Sequence, residues 1–277
     1  MNSDQLYQSI RDKKSFLCVG LDSELEKIPA HLKSSPQPQL DFNRKIIDAT
    51  LPFAVAYKLN TAFYEARGAD GWSEMEQTIH YIRQSDPSVF IIADAKRGDI
   101  GNTSEMYARA FFDRMECDAI TLSPYMGYDV VDPFLKRDGR WIILLAVTSN
   151  KSADDFQFLE LSADGSTLYE NILRIASDWG SFDRTMFVAG ATRPEIISRV
   201  REHIPDHFLL VPGIGAQGGS LDAVAEHGMN SRCGLLINSS RGIIFAGQSG
   251  SFAEEAGAKA AEVQNQMENL LRKHNLI

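Results

Sequence analysis

Short apolar runs rich in β-branched residues alternate with longer stretches whose apolar positions recur every three or four residues. The runs at 16–21, 54–59, 89–93, 119–122, 141–147, 185–189, 208–211 and 235–237 predict buried strands. The stretches 39–50, 73–84, 102–115, 129–137, 167–179, 193–203, 219–227 and 253–273 predict helices. That order is eight β-then-α units, and such alternation implies parallel strands joined by crossover helices. Eight repeats favour a closed (β/α)8 barrel, the TIM-barrel class, over an open doubly wound sheet. No linker rich in Pro, Gly or Ser divides the chain, so residues 1–277 read as one domain.

Residues 1–15 set Leu6, Tyr7 and Ile10 at helical spacing among charges and predict a short N-terminal surface helix rather than a signal peptide. Two connections are long: 23–39, with Pro29, Pro36 and Pro38, and 150–166. Both follow strands, on the face where a barrel builds its active site. Loops of this length are uncommon unless functional or disordered, so either is a candidate lid or an idle insertion.

Composition narrows the function classes. An apolar fraction of 44% and a charged fraction of 23% are those of an ordinary globular chain. A net charge of −9 argues against nucleic-acid partners and polybasic membrane binding. An anionic ligand would need positive charge gathered locally. Cys18, Cys117 and Cys233 form no CxxC pair and read as reduced thiols of a cytoplasmic protein. No apolar stretch approaches the ~18 residues of a membrane span.

The chemistry gathers at strand ends. The run Val89-Phe90-Ile91-Ile92-Ala93 passes directly into Asp94, Lys96 and Asp99. Charges in such a place are costly unless they pair or meet a ligand. Asp94 and Lys96 are two apart, so a regular strand sends both side chains to one face. Asp99 follows Gly98, where a helix should begin, and a carboxylate suits that position. Lys58 ends the second run in "YKLN", and Asp22 ends the first in "CVGLD". The first three strands of a barrel are neighbours, so Asp22, Lys58, Asp94, Lys96 and Asp99 are expected to converge at one mouth. Alternating carboxylates and ammoniums would keep one another ionised. The alternative is a salt-bridge network that merely closes the barrel. Arg97-Gly98-Asp99 also spells a cell-adhesion tripeptide, which reads as a coincidence.

Across the mouth, "VPGIGAQGGS" follows the seventh run and "NSSRGI" the eighth. Gly213, Gly215, Gly218 and Gly219 would let backbone N–H groups approach an anion, beside a helix starting near Ser220. Ser240 and Arg241 come from the next strand, and arginine can grip phosphate oxygens in pairs. Loops after strands seven and eight are the usual phosphate location in this barrel class. Glycine also serves simple turns, so the pairing with Arg241 carries the phosphate reading.

Taken together, "DAKRGDIGNT", "YKLN", "GLD", "PGIGAQGG" and the late Arg-Gly pair resemble the orotidine 5'-phosphate decarboxylases, over essentially the whole chain. The long loops resemble the family's type 2 branch, found in many bacteria. The resemblance implies conversion of orotidine 5'-phosphate to UMP and CO2, the last step of de novo pyrimidine synthesis, with no metal or other cofactor. It also implies a homodimer with sites at the interface. By position, Lys96 resembles the proton donor to pyrimidine C6, and Asp94 would sit beside the substrate carboxylate. Lys58 would hydrogen-bond within the charged chain, and Asp22 would contact ribose hydroxyls. Asp99 and Thr103 resemble the pair contributed to the neighbouring subunit's site. Ser149, in "AVTSN", resembles the serine that reads the pyrimidine ring. Gln217 and Arg241 resemble the phosphate grip, with Gly215, Gly218 and Ser240 around it. The loops are longer than in the compact branch, and the context "SSRG" differs from it.

Two other readings stay open. A Mg2+-dependent phosphosugar aldolase or decarboxylase on the same barrel needs oxygen ligands at strand ends. Lys58 stands where those relatives carry a metal-binding carboxylate. A nucleotide-binding barrel without chemistry would hold UMP and turn nothing over. The six histidines fall in loops or helices. Pro205 interrupts the spacing of His203 and His207, so both read as surface residues rather than metal ligands.

Overall fold

The computed structural model describes residues 1–190, 193–214 and 219–277. Eight strands pair in parallel and in sequence order, and the last returns to the first to close a barrel. They are β1 (Leu17–Gly20), β2 (Ala54–Asn60), β3 (Phe90–Arg97), β4 (Ala119–Leu122), β5 (Trp141–Val147), β6 (Thr185–Ala189), β7 (Phe208–Pro212) and β8 (Leu235–Ser239). The fold class expected from periodicity is the one found. Near-continuous apolar strands suit it, because each strand is covered on the outside by helices and on the inside by its neighbours.

Helices α1 (Ser3–Lys13), α2 (Pro38–Thr50), α3 (Ala62–Glu65), α4 (Gly68–Ser85), α5 (Gly101–Ala108) and α6 (Asp132–Leu135) belong to the first half. The second half carries α7 (Leu168–Ala176), α8 (Pro194–His203), α9 (Leu221–Gly228), α10 (Arg241–Ile244) and α11 (Phe252–Lys273). Helix α1 starts in a reciprocal cap between Asn2 and Gln5 and buries Leu6 and Ile10. It lies at the amino-terminal end of the strands, where Trp141 Nε1 donates to the Met1 carbonyl at 2.6 Å. Trp141 meets Phe90 and Phe208 edge-on, at ring distances of 5.5 and 6.3 Å. Those three rings come from alternate strands, the layering expected inside such a barrel.

Three departures from the sequence reading have local causes. Strand β3 runs on through the charged residues, because Asp94 still pairs with Asn60 and Arg97 with Leu122. The helix expected at 129–137 is broken into 3-10 turns and the single turn α6, since Gly127 takes φ 84° and Pro133 has no N–H to continue a helix begun at 129, although it is accepted in the first turn of α6. The stretch 102–115 changes from α5 to a π-helical turn at Arg109–Arg114, which buries Phe111 and Phe112 together. The surface assignment of His207 is also corrected. It is buried, with its ring 5.5 Å from Phe187, because it directly precedes the apolar strand β7.

No helix among the described residues is long and apolar enough to cross a membrane. All three cysteines are buried and free.

Candidate active site

The register of β1, β2 and β3 sets the charged group. Gly20 pairs with Lys58, Lys58 with Ile92, and Asn60 with Asp94. Lys58 and Asp94 therefore enter the barrel at adjacent levels, at 4% and 8% exposure. Lys58 Nζ donates to Asp94 Oδ2 at 2.9 Å and lies 3.6 Å from Asp22 Oδ1. Lys96 Nζ donates to the other Asp94 oxygen at 2.6 Å. One carboxylate is held between two ammoniums.

The electrostatics follow from burial and pairing. Burial alone would raise the Asp94 carboxyl, but Lys58 and Lys96 outweigh it and hold the group well below the usual carboxylate range. Burial likewise works against the Lys58 ammonium, and Asp22 and Asp94 more than offset it, so its pKa rises. Cys18, deeper on β1, is pushed up to about 12 by burial and stays a thiol.

Lys96 reaches Asp94 by a route that strand parity does not describe. Between Ala93 and Arg97 the β3–β4 register shifts, and Lys96 takes φ 46°, in the left-handed region. The buried hydroxyl of Thr121, on β4, accepts from Lys96 N at 2.9 Å and donates to Asp94 Oδ1 at 3.0 Å. Thr121 carried no signal in the sequence: a lone threonine in a strand is ordinary.

These charges border a cavity of about 340 Å3 at the carboxyl ends of the strands. Its inner wall is apolar, from Leu145, Val188 and Leu210 on β5, β6 and β7. Its far side carries Ser149, Ser240 and Arg241. Ser240 is accommodated because β1 has glycine at position 20. A Cβ there would lie 1.9 Å from Ser240 Oγ. Gly190 plays the same part for Ser149, whose backbone nitrogen would be 2.8 Å from an added Cβ. Beside Ser149, the Gln157 side chain accepts from Thr148 N and donates to Thr148 Oγ1, both at 2.8 Å. That pairing ties the 150–166 connection to the cavity rim. Gln157 and Gly190 were not singled out by the sequence either.

Asp22, Lys58, Asp94 and Lys96 thus converge as expected, and Asp99 does not. Asp99 Oδ1 accepts from Ile100 N at 2.8 Å, and Thr103 lies exposed in the first turn of α5. Arg97, between Lys96 and Gly98, points away from the cavity, pairs with Glu65 and lies over Tyr107. Residues Gly215, Gln217 and Gly218 lie outside the described residues. Among the described residues no group of three or more His, Cys, Asp or Glu side chains is placed to hold a metal ion.

Residues 15–256 match the model of the orotidine 5'-phosphate decarboxylase / HUMPS family. The chain is 53% identical to an orotidine 5'-phosphate decarboxylase of Phocaeicola vulgatus over 271 residues, covering 98% of this chain and 99% of the relative. It is also 53% identical to one of Porphyromonas gingivalis, over the full length of both. A solved OMP decarboxylase of Leishmania donovani superposes with a TM-score of 0.82 at 33% identity, over 97% of this chain and 100% of that one.

Proposed function

The chain belongs to the orotidine 5'-phosphate decarboxylase / HUMPS family, and on that premise we propose how its mouth performs the reaction. The reaction is decarboxylation of orotidine 5'-phosphate to UMP and CO2, which closes pyrimidine nucleotide synthesis. The bond from C6 to the carboxylate breaks, CO2 leaves, and the electron pair stays on C6 as an sp2 carbanion that the ring delocalises poorly. Lys96 faces that charge as an ammonium and then gives its proton to C6, and solvent reprotonates the amine. Preorganised charge of this kind acts mainly in the transition state, where each ~1.4 kcal/mol is a factor of ten in rate.

The observation that carries this reading is the Lys58–Asp94–Lys96 arrangement beside an open cavity. Asp94 keeps Lys96 aimed, and Lys58 keeps Asp94 ionised. Asp22 lines the cavity with a partly exposed carboxylate, which suits it to accept from a ribose hydroxyl while its Oδ1 faces Lys58. The pyrimidine then lies against Leu145, Val188 and Leu210, with Ser149 reading its edge, and Arg241 with Ser240 takes the phosphate. Gln217, Gly215 and Gly218 complete that grip in this reading.

The working unit in this reading is a homodimer in the cytoplasm. Lys96 has a half-exposed side chain, and Asp99 and Thr103 stand outside the cavity of their own chain. Around them Ile100, Met106, Tyr125, Met126 and Tyr128 leave large apolar surface uncovered, Tyr125 at 92% exposure. A partner seated there would bring its own Asp99 and Thr103 to Lys96 and bury that patch. Buried, unpaired thiols suit a reducing compartment.

The test is a spectrophotometric assay with orotidine 5'-phosphate, with and without chelator, on wild type and Lys96→Ala. The variant is expected to lose about 10^3-fold or more in kcat while still binding UMP. Retained turnover would end the Lys96 mechanism, and activity lost with chelator would favour metal-assisted chemistry. Mixing inactive Lys96→Ala and Asp99→Ala subunits should restore about a quarter of the wild-type sites if each site draws on both chains.

A further inference from the structure

We propose that Thr121 is a positioning residue for decarboxylation, holding the Lys96 main chain in the bulge that aims its ammonium. The inference rests on the reading of Lys96 as proton donor and adds what keeps that donor in place.

Left-handed backbone is unfavourable for a residue with a Cβ and persists only where the surroundings enforce it. Lys96 is such a residue, at φ 46°, inside a register shift of β3 against β4. Beyond the strand pairing of Arg97 with Leu122, one side-chain hydroxyl braces it. Thr121 Oγ1 accepts from Lys96 N at 2.9 Å and donates to Asp94 Oδ1 at 3.0 Å. Lys96 Nζ donates to the same oxygen at 2.6 Å. The main chain and the reacting end of Lys96 are therefore fixed to each other through Thr121 and one carboxylate oxygen. Thr121 is 1% exposed, so no water replaces its hydroxyl without rearrangement. Removing it leaves the Lys96 N–H unpaired, and relaxation toward extended backbone swings the side chain off its line to C6.

The deciding variant is Thr121→Val, which keeps the shape and removes the hydroxyl, with Thr121→Ser as the conservative control. The expected result for valine is a loss of at least about tenfold in kcat, with KM and UMP binding changed by less than about threefold. Exchange of the UMP C6 proton in D2O, followed by NMR, should slow in parallel. That exchange runs the same transfer backward: the neutral Lys96 amine takes the C6 proton, solvent replaces it, and a deuteron returns. Serine should restore both rates to within about threefold of wild type. A merely structural role would lower the melting temperature without changing kcat per folded site. Wild-type kcat in Thr121→Val, undiminished exchange, or serine no better than valine would overturn the proposal. Thr121→Ala, which adds no bulk, gives the same reading if the valine variant fails to fold. Lys96→Ala runs alongside. Turnover in that variant removes the underlying mechanism, whereas an inactive Lys96→Ala beside a fully active Thr121→Val removes only this inference.

Discussion

The two ends of the barrel place ionisable groups in opposite ways. At the carboxyl end, Lys58, Asp94 and Lys96 lie in one line of opposite charges beside an open cavity, and Lys96 is held in a costly backbone conformation. At the amino end, Trp141, Phe90 and Phe208 fill the interior. The partly buried Arg201 there donates to the carbonyls of Ile204, His207, Gly228 and Gly234. Its charge meets backbone dipoles and helps tie α8 and α9 to the starts of β7 and β8. The mouth keeps charge available to a ligand. The floor uses polar groups to close the structure, so substitutions at the two ends should separate rate from stability.

The largest expected contrast sets Lys96→Ala against Trp141→Ala. The lysine variant should lose the rate named above and melt within a few degrees of wild type, since the Lys96 side chain is half exposed and Asp94 keeps its pairing with Lys58. Trp141→Ala should cost about 3–5 kcal/mol of unfolding free energy, by calorimetry or denaturant titration, and leave kcat per folded site nearly unchanged. A tryptophan variant that stays stable but loses kcat would break the division between the two ends.

A smaller effect is expected with pH. Burial first, and then the Arg201 guanidinium, lower the His207 imidazole to about 4 from an ordinary 6.5. The unfolded chain takes up that proton more readily, so the associated stability is complete above about pH 6.5 and is lost as pH falls toward 4. Denaturant titrations at pH 7 and 4.5 should differ by about 2–3 kcal/mol more in wild type than in His207→Leu. Asp94 has the same sign at a lower pH: its lowered pKa contributes stability above the ordinary carboxylate range and loses it only in stronger acid. An equal slope in both proteins would place the acid sensitivity elsewhere.

The smallest effect sharpens the picture of the mouth itself. Gly20→Ala would press a methyl group onto Ser240 Oγ, so Ser240 and the neighbouring Arg241 must move. KM should rise by about tenfold, with kcat at saturation changed less, because the proposed phosphate contacts lie far from the bond that breaks. A fall in kcat with KM unchanged would argue that Gly20 serves Lys58, its β2 neighbour, instead.

Much of this is legible in the amino-acid sequence. Eight apolar runs with crossover stretches specify the closed barrel, and Lys58, Asp94 and Lys96 stand out because charge at the end of a buried strand needs a reason. Thr121, Gln157 and Gly190 were not legible, since each is an ordinary residue whose importance depends on a neighbour distant in sequence. His207 had a weak signal, its position against the apolar run 208–211, which the nearby proline obscured.

The amino-acid order alone determined the strand periodicity, the number of units and which strand ends carry charge, because these depend on local spacing and on the cost of leaving apolar surface in water. Tertiary structure alone decided that β3 bulges at Lys96, that Asp99 stands away from Lys96 in its own chain, and that His207 is buried. Each of those depends on strand register and on packing between distant segments, which a one-dimensional pattern does not contain.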